Sequence, residues 1–123
     1  PRHFLTHAKQ HGALLAKGRL LGVQFDTLFT DRLYDELGRH AIAMADELRR
    51  ILREAGCTFF RESPTNQQFV VLDNAQVEAL AERVRFSTWE KLGDGRTVIR
   101  LVTSWSTTPD DLAALKAALH EVL

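Results

Sequence analysis

The stretch TVIRLVTSW, residues 97–105, alternates like a β-strand and places Arg100 among apolar neighbours. Because side chains alternate between the two faces of a strand, Arg100 shares its face with Val98 and Val102. A guanidinium group in apolar surroundings is costly unless it is paired, and a carboxylate can hold it with two parallel hydrogen bonds. The sequence therefore predicts that Arg100 either reaches out to water or binds an anionic group that comes to it.

Two further basic residues, Lys17 and Arg19, lie among apolar residues and glycines in the stretch LLAKGRLLG, residues 14–22. Glycine allows close approach to the backbone, and lysine is a common partner of phosphate. A helix face with two solvated charges explains the same pattern equally well from physics alone. Together, Lys17 and Arg100 would suit a ligand that carries one phosphate and one carboxylate.

Other chemistry is less well supported by the residue types. His3, His7 and His11 are four residues apart, a spacing at which two histidines on a helix can bind a metal. No cysteine or carboxylate completes the set, so a polar helix face is favoured and no metal is predicted.

The hydroxyl residues at 103–108 have no paired base and no G-x-S-x-G motif, which argues against a serine nucleophile. Cys57 is typical of a small buried thiol.

Length and composition indicate one ordinary domain and exclude some partners. The chain has 123 residues, 45% of them hydrophobic, with 16 basic and 16 acidic side chains. This balance argues against a basic field for nucleic acid or an anionic membrane. No apolar run approaches the roughly 20 residues of a membrane span, and no signal peptide is visible. The lone cysteine fits a reducing compartment, so a cytoplasmic location is predicted.

Hydrophobic spacing predicts an alternation of helices and strands. Helical spacing runs over residues 3–29, and an apolar stripe from Leu33 to Ile51 predicts a second helix that ends at Gly56. Further elements follow in the order strand CTFFRE, strand QQFVVLD, helix DNAQVEALAER, strand VRFSTWEKL, turn GDGR, strand TVIRLVTSW and helix TTPDDLAALKAALHEVL. This order predicts an α+β fold: a small, mostly antiparallel sheet packed on helices, with a long N-terminal helix.

Three segments resemble the low-specificity threonine aldolases of the β-eliminating lyase group: HAKQHGALLAKGRLLGVQF at 7–25, SPTNQQF at 63–69 and VIRLVTSW at 98–105. The resemblance covers nearly the whole chain and corresponds to the C-terminal third of such enzymes. It implies the small C-terminal domain of a fold type I enzyme that uses pyridoxal 5′-phosphate (PLP). Residues 1–30 would then be a helix that links toward a missing large domain, and residues 31–123 the small domain.

The resemblance also implies an activity and a set of site residues. Enzymes of this family cleave β-hydroxy-α-amino acids such as threonine to glycine and an aldehyde, with PLP held by a lysine of the large domain. By motif match, Arg100 would bind the substrate carboxylate, and Lys17 would contact the cofactor phosphate, with Lys9 and Arg19 as weaker candidates. No catalytic residue falls within this chain, which would be inactive alone. The implied partners are the large domain, an amino-acid substrate and further copies in a homodimer or tetramer.

Two other interpretations remain open on the residues alone. The chain could be a stand-alone, non-catalytic module for carboxylate binding or dimerisation that derives from such a domain. It could also belong to a related PLP enzyme of another reaction type, such as a desulfurase or an aminotransferase. Ser104 and Trp105 follow Thr103 where familiar members often have histidine, and this departure leaves the exact substrate open.

Overall fold

The computed structural model describes residues 2–15 and 17–123, and the chain divides into two compact units, residues 1–34 and 35–123. The first unit contains helices α1 (Phe4–Gln10) and α2 (Arg19–Phe29), followed by one 3-10 turn (Thr30–Arg32). Helix α3 (Leu33–Glu54) begins at the boundary between the units. The remaining elements are β1 (Thr58–Arg61), β2 (Gln67–Asp73), α4 (Asn74–Ala81), β3 (Ser87–Lys91), β4 (Arg96–Val102) and α5 (Pro109–Val122).

The continuous helix predicted for residues 3–29 is wrong, because α1 ends at Gln10 and α2 begins only at Arg19. Gly12 adopts a φ of 65°, a left-handed conformation that glycine reaches without the steric cost of a Cβ and that commonly ends a helix. Its amide donates to the Lys9 carbonyl at 3.1 Å, which closes the last turn of α1. The segment 1–30 therefore contains two short helices, and its role as a link to another domain stays a prediction.

The four strands form one antiparallel sheet in the order β1-β2-β4-β3, which confirms the predicted α+β fold. The two central strands pair along their full length, from Gln67 opposite Val102 to Asp73 opposite Arg96. Strands β3 and β4 form the hairpin predicted at GDGR, and glycines 93 and 95 both take positive φ angles within its turn. This pairing places β4, which carries Arg100, inside the sheet with a neighbour on either side.

The hydrophobic core lies between one face of this sheet and helices α3, α4 and α5. Val70 and Ile99 from the central strands are fully buried against Leu52 of α3, Leu80 of α4 and Leu119 of α5. Each such side chain contributes about 1.5–3 kcal/mol through removal from water. Since the residues at even positions of β2 and odd positions of β4 fill this core, the intervening residues must lie on the opposite face. None of the described helices is both long and apolar enough to cross a membrane.

Thr103, directly after β4, ties the end of that strand to α3. Its side chain is 1% exposed, and its hydroxyl donates to the Ala41 carbonyl of α3 at 2.7 Å. Its amide donates to the Asn66 carbonyl at 3.0 Å, and the Asn66 side-chain amide donates to the Thr103 carbonyl at 2.7 Å. These bonds fix the β4 end three residues from Arg100 and so help to hold the strand in register.

We predict that Thr103→Val lowers the free energy of unfolding by about 1 kcal/mol, because the substitution removes the hydrogen bond from the buried Thr103 hydroxyl to the Ala41 carbonyl. Valine matches threonine in shape, so the loss reports the hydroxyl rather than a cavity. Urea denaturation followed by far-ultraviolet circular dichroism measures the change. The control is Thr88→Val on β3, whose side chain is exposed and which should stay within about 0.5 kcal/mol of the parent. Equal losses of stability at the two positions would contradict a stabilising hydrogen bond between Thr103 and α3.

Candidate anion-binding site

Arg100 lies near the middle of the sheet face that is opposite the helices. Phe69 of β2 and Ser87 of β3 stand directly across from it in the strand register and therefore share its face. Ring contacts place Trp89 of β3 and the guanidinium of Arg61 from β1 over the same face. We call the surface formed by Arg61, Phe69, Trp89 and Arg100 the arginine face.

The guanidinium of Arg100 is held by one neutral side chain from each neighbouring strand. Its Nη1 donates to the Gln67 side-chain carbonyl at 3.2 Å, and its Nη2 donates to the Ser87 hydroxyl at 3.4 Å. Both distances are at the long end for hydrogen bonds of this kind, so both contacts are weak. They orient the guanidinium without neutralising its charge.

This guanidinium keeps two N–H donors, one on each Nη, for another group. Arginine has five N–H donors, and the two contacts to Gln67 and Ser87 use two of them. Its Nε is buried and has no hydrogen-bond partner among the described residues. Within that same part of the chain, Arg100 also makes no ion pair. A half-buried cation of this kind is suited to a carboxylate, which would accept from the two Nη atoms at once.

Two aromatic rings lie next to Arg100 on the arginine face. Phe69 is almost fully buried, whereas Trp89 is 46% exposed, and the two rings meet edge to face with centroids 5.0 Å apart. The Arg100 guanidinium carbon lies 5.8 Å from the Trp89 ring centroid, within the range of a cation–π interaction. The rings lower the local polarity around the guanidinium, and this strengthens its attraction for an anion.

The residues predicted to contact a phosphate lie in the first unit, apart in sequence from Arg100. Lys9 is in the last turn of α1, Lys17 lies in the segment between the two helices, and Arg19 is the first residue of α2. All three side chains are exposed, and none makes an ion pair within the described ranges. Lys17 and Arg19 lie near the start of α2, where an exposed cation is chemically suited to a phosphate, whereas Lys9 lies at the end of α1. Their role stays a prediction.

The other chemistry weighed from the sequence has no assembled site among residues 2–15 and 17–123. No group of three or more histidine, cysteine or acidic side chains there could hold a metal ion. Burial raises the pKa of the Cys57 thiol above its ordinary value, so the reactive thiolate is scarce near neutral pH. The Ser104 hydroxyl pairs at 2.9 Å with that of Ser106, a neighbour that cannot act as a base.

Sequence reasoning found Arg100 but missed the residues around it. Gln67, Ser87 and Trp89 are positioned by strand pairing, and nothing in their spacing relates them to Arg100 along the chain. The sequence places Arg61 in a short strand and gives it no role. The alternation of QQFVVLD and VRFSTWEKL does show which residues share a face, so a correct strand order would have placed them together.

Comparison with known proteins finds related solved structures but no matching family model and no matching curated protein. A threonine aldolase from Leishmania major is 38% identical to the chain and superposes with a TM-score of 0.86. The match covers 93% of this chain and 33% of that one. The chain therefore spans about a third of the length of this relative.

Two further structures share the fold over a smaller part of the chain. A glycine decarboxylase (P-protein) of the glycine cleavage system is 28% identical, with a TM-score of 0.58, and the match covers 72% of this chain and 22% of that one. An enzyme designated SPT, solved with its PLP, is 19% identical with a TM-score of 0.50 over 63% of this chain and 23% of that one. The fold thus recurs as a minor part of larger enzymes, of which the last contains PLP.

Proposed function

Because the chain belongs to the threonine aldolase family as its C-terminal domain, we propose that it serves a PLP-dependent lyase that cleaves β-hydroxy-α-amino acids to glycine and an aldehyde. The observation that carries this proposal is the guanidinium of Arg100 on the arginine face, which among the described residues has two neutral hydrogen-bond partners and no acidic one. We assign it the α-carboxylate of the substrate. A threonine-like amino acid is the substrate class that follows from the Leishmania relative.

Arg100 would contribute both affinity and orientation. Two parallel hydrogen bonds from its Nη atoms fix the plane of a bound carboxylate, and with it the direction of the bonds at the adjacent carbon. The neutral partners Gln67 and Ser87 hold the guanidinium in place and do not compete with the substrate for its charge. This domain thus binds and orients the substrate, and the bond that breaks is selected by that orientation.

The cofactor would be held largely by the rest of the enzyme. PLP, when bound, supplies an electron sink for the carbon that loses the aldehyde. From this chain, the exposed cations Lys17, Arg19 and Lys9 fit the charge of the cofactor phosphate. We assign Lys17 to that phosphate first, with the other two as weaker candidates. The match to only a third of the Leishmania enzyme supports a large domain as the partner that carries the catalytic lysine.

We further propose that the complete enzyme works in the cytoplasm as a homodimer or tetramer, and that the 123 residues alone have no lyase activity. The single thiol at Cys57 agrees with a reducing compartment. The absence of activity follows from chemistry, because Arg100 binds a carboxylate but cannot take up the electrons of the broken bond.

The proposal is tested by assaying the protein that joins this chain to its large domain, saturated with PLP. Threonine should yield equimolar glycine and acetaldehyde, measured by chromatography and by a coupled dehydrogenase. A protein that binds threonine yet releases neither product would overturn the lyase assignment and leave a carboxylate-binding module. Conversion of threonine to a keto acid would instead assign another PLP reaction.

A further inference from the structure

The guanidinium of Arg61 reaches across the arginine face toward the same ring that contacts Arg100. Arg61 belongs to β1, one edge of the sheet, whereas Trp89 belongs to β3, the opposite edge. Nevertheless, the Arg61 guanidinium carbon lies 4.8 Å from the Phe69 ring centroid and 5.5 Å from that of Trp89. Because the Arg100 guanidinium carbon is 5.8 Å from the Trp89 ring centroid, both cations lie within about 6 Å of the centre of one indole.

Arg61 and Arg100 differ from five of the nine arginines in residues 35–123, which form ion pairs with acidic side chains. The arginines with ion-pair partners are Arg49 with Asp46, Arg50 with Glu47 and Glu54, Arg53 with Glu62, Arg83 with Glu121, and Arg96 with Asp94. In the described part of the chain, Arg61 and Arg100 have no such partner. The acid next to Arg61 in sequence, Glu62, pairs with Arg53 instead.

Two like charges beside one ring repel each other, and the rings offset only part of that repulsion. The charge of Arg61 is also available to a ligand, since its side chain is exposed and lies beside aromatic rings without an ion pair to any described residue. An anion with two charged ends would neutralise both cations. Its carbon chain would lie against the indole of Trp89, which is 46% exposed.

We infer that Arg61 binds a second anionic group, so that the arginine face takes a small dicarboxylate: an amino acid whose side chain ends in a carboxylate. This inference rests on the proposed function, in which Arg100 holds the α-carboxylate. Arg61 would then determine specificity by holding the distal carboxylate. The enzyme would favour a β-hydroxy amino acid with an acidic side chain over one with an apolar side chain.

The inference can be tested by ligand binding, without lyase activity. The 123-residue chain with Trp105→Phe leaves Trp89 as its sole tryptophan, and Trp105 is exposed, so its replacement is mild. The indole fluorescence is titrated with succinate and with butyrate at matched ionic strength. These probes have equal carbon number and differ in the second carboxylate. Because a charge-assisted contact is gained, succinate should bind at least about tenfold more tightly.

Variants assign that difference to a residue. Arg61→Gln should reduce the preference for succinate to about the twofold statistical advantage of two equivalent carboxylates. Arg53→Gln is the matched control, because Arg53 also stacks on an aromatic ring, at 5.6 Å from Phe59, but has its own acidic partner. It should keep the full preference. Thermal unfolding of each variant verifies that the fold is intact.

The outcomes separate this inference from the proposed function. Equal affinities for succinate and butyrate in the parent, or an unchanged preference in Arg61→Gln, would overturn the role of Arg61. In that case, loss of butyrate binding in Arg100→Gln would still support Arg100 as the carboxylate site. Butyrate binding that is unchanged both in Arg100→Gln and in the double variant Arg61→Gln/Arg100→Gln would instead overturn the role assigned to Arg100, and with it the second-anion role that depends on it.

Discussion

Replacing Arg100 with alanine is expected to lower kcat/KM for threonine by about 100-fold in the complete PLP-bound enzyme. The substitution removes a charge-assisted contact of about 3 kcal/mol at the upper end of its range, and each 1.36 kcal/mol changes a rate by tenfold. The loss should be divided between KM and kcat, because the contact both binds the carboxylate and fixes the reacting bond. Steady-state kinetics with the purified protein measures both parameters.

Two matched variants show whether the decrease in kcat/KM results from loss of the Arg100 guanidinium itself. Arg100→Lys keeps the charge but lacks the planar fork, so we expect it to recover only part of the lost activity. Arg96→Ala removes an arginine from the same strand and face, where it pairs with Asp94 at 2.6 Å, and should leave kcat/KM nearly unchanged. Equal losses in Arg100→Ala and Arg96→Ala would indicate damage to β4 rather than to a binding contact.

The position of Arg100 could be predicted from the sequence because strand alternation is a local property. Residues 97–105 alternate strongly enough to place the arginine on a defined face, and in the structure Phe69 lies opposite it on that face. Its neighbours could not be predicted in the same way. Ser87 and Trp89 come near Arg100 only because β3 pairs with β4, and Arg61 only because β1 takes the other edge.

The N-terminal segment shows how a local pattern can mislead. The apolar positions of residues 3–29 have helical spacing, yet the backbone leaves the helix at Gly12, where φ is 65°. Periodicity records which side chains would share a face and contains little information about a backbone break. The glycine itself was the better signal, because its intrinsic cost of about 1 kcal/mol in a helix interior favours a helix end.

The core beneath Arg100 offers the largest expected effect on stability. Ile99 is fully buried in the central strand β4 and belongs to the cluster that joins the sheet to α3 and α5. We expect Ile99→Ala to lower the free energy of unfolding by about 3 kcal/mol, because the lost transfer energy adds to that of the cavity left behind. Ile99→Val removes one methylene and should cost about 1 kcal/mol. Urea denaturation of both variants measures the two changes in the free energy of unfolding.

The same pair of variants separates the stability of the sheet from the chemistry on its other face. Ile99 and Arg100 are adjacent in β4 but point to opposite faces, so Ile99→Val should leave carboxylate binding close to that of the parent. If packing in the core determines the position and register of β4, the affinity for butyrate should fall in Ile99→Ala under conditions where the chain remains folded. A loss of stability below about 1 kcal/mol in Ile99→Ala would contradict the packing that places β4, and Arg100 with it, at the centre of the sheet.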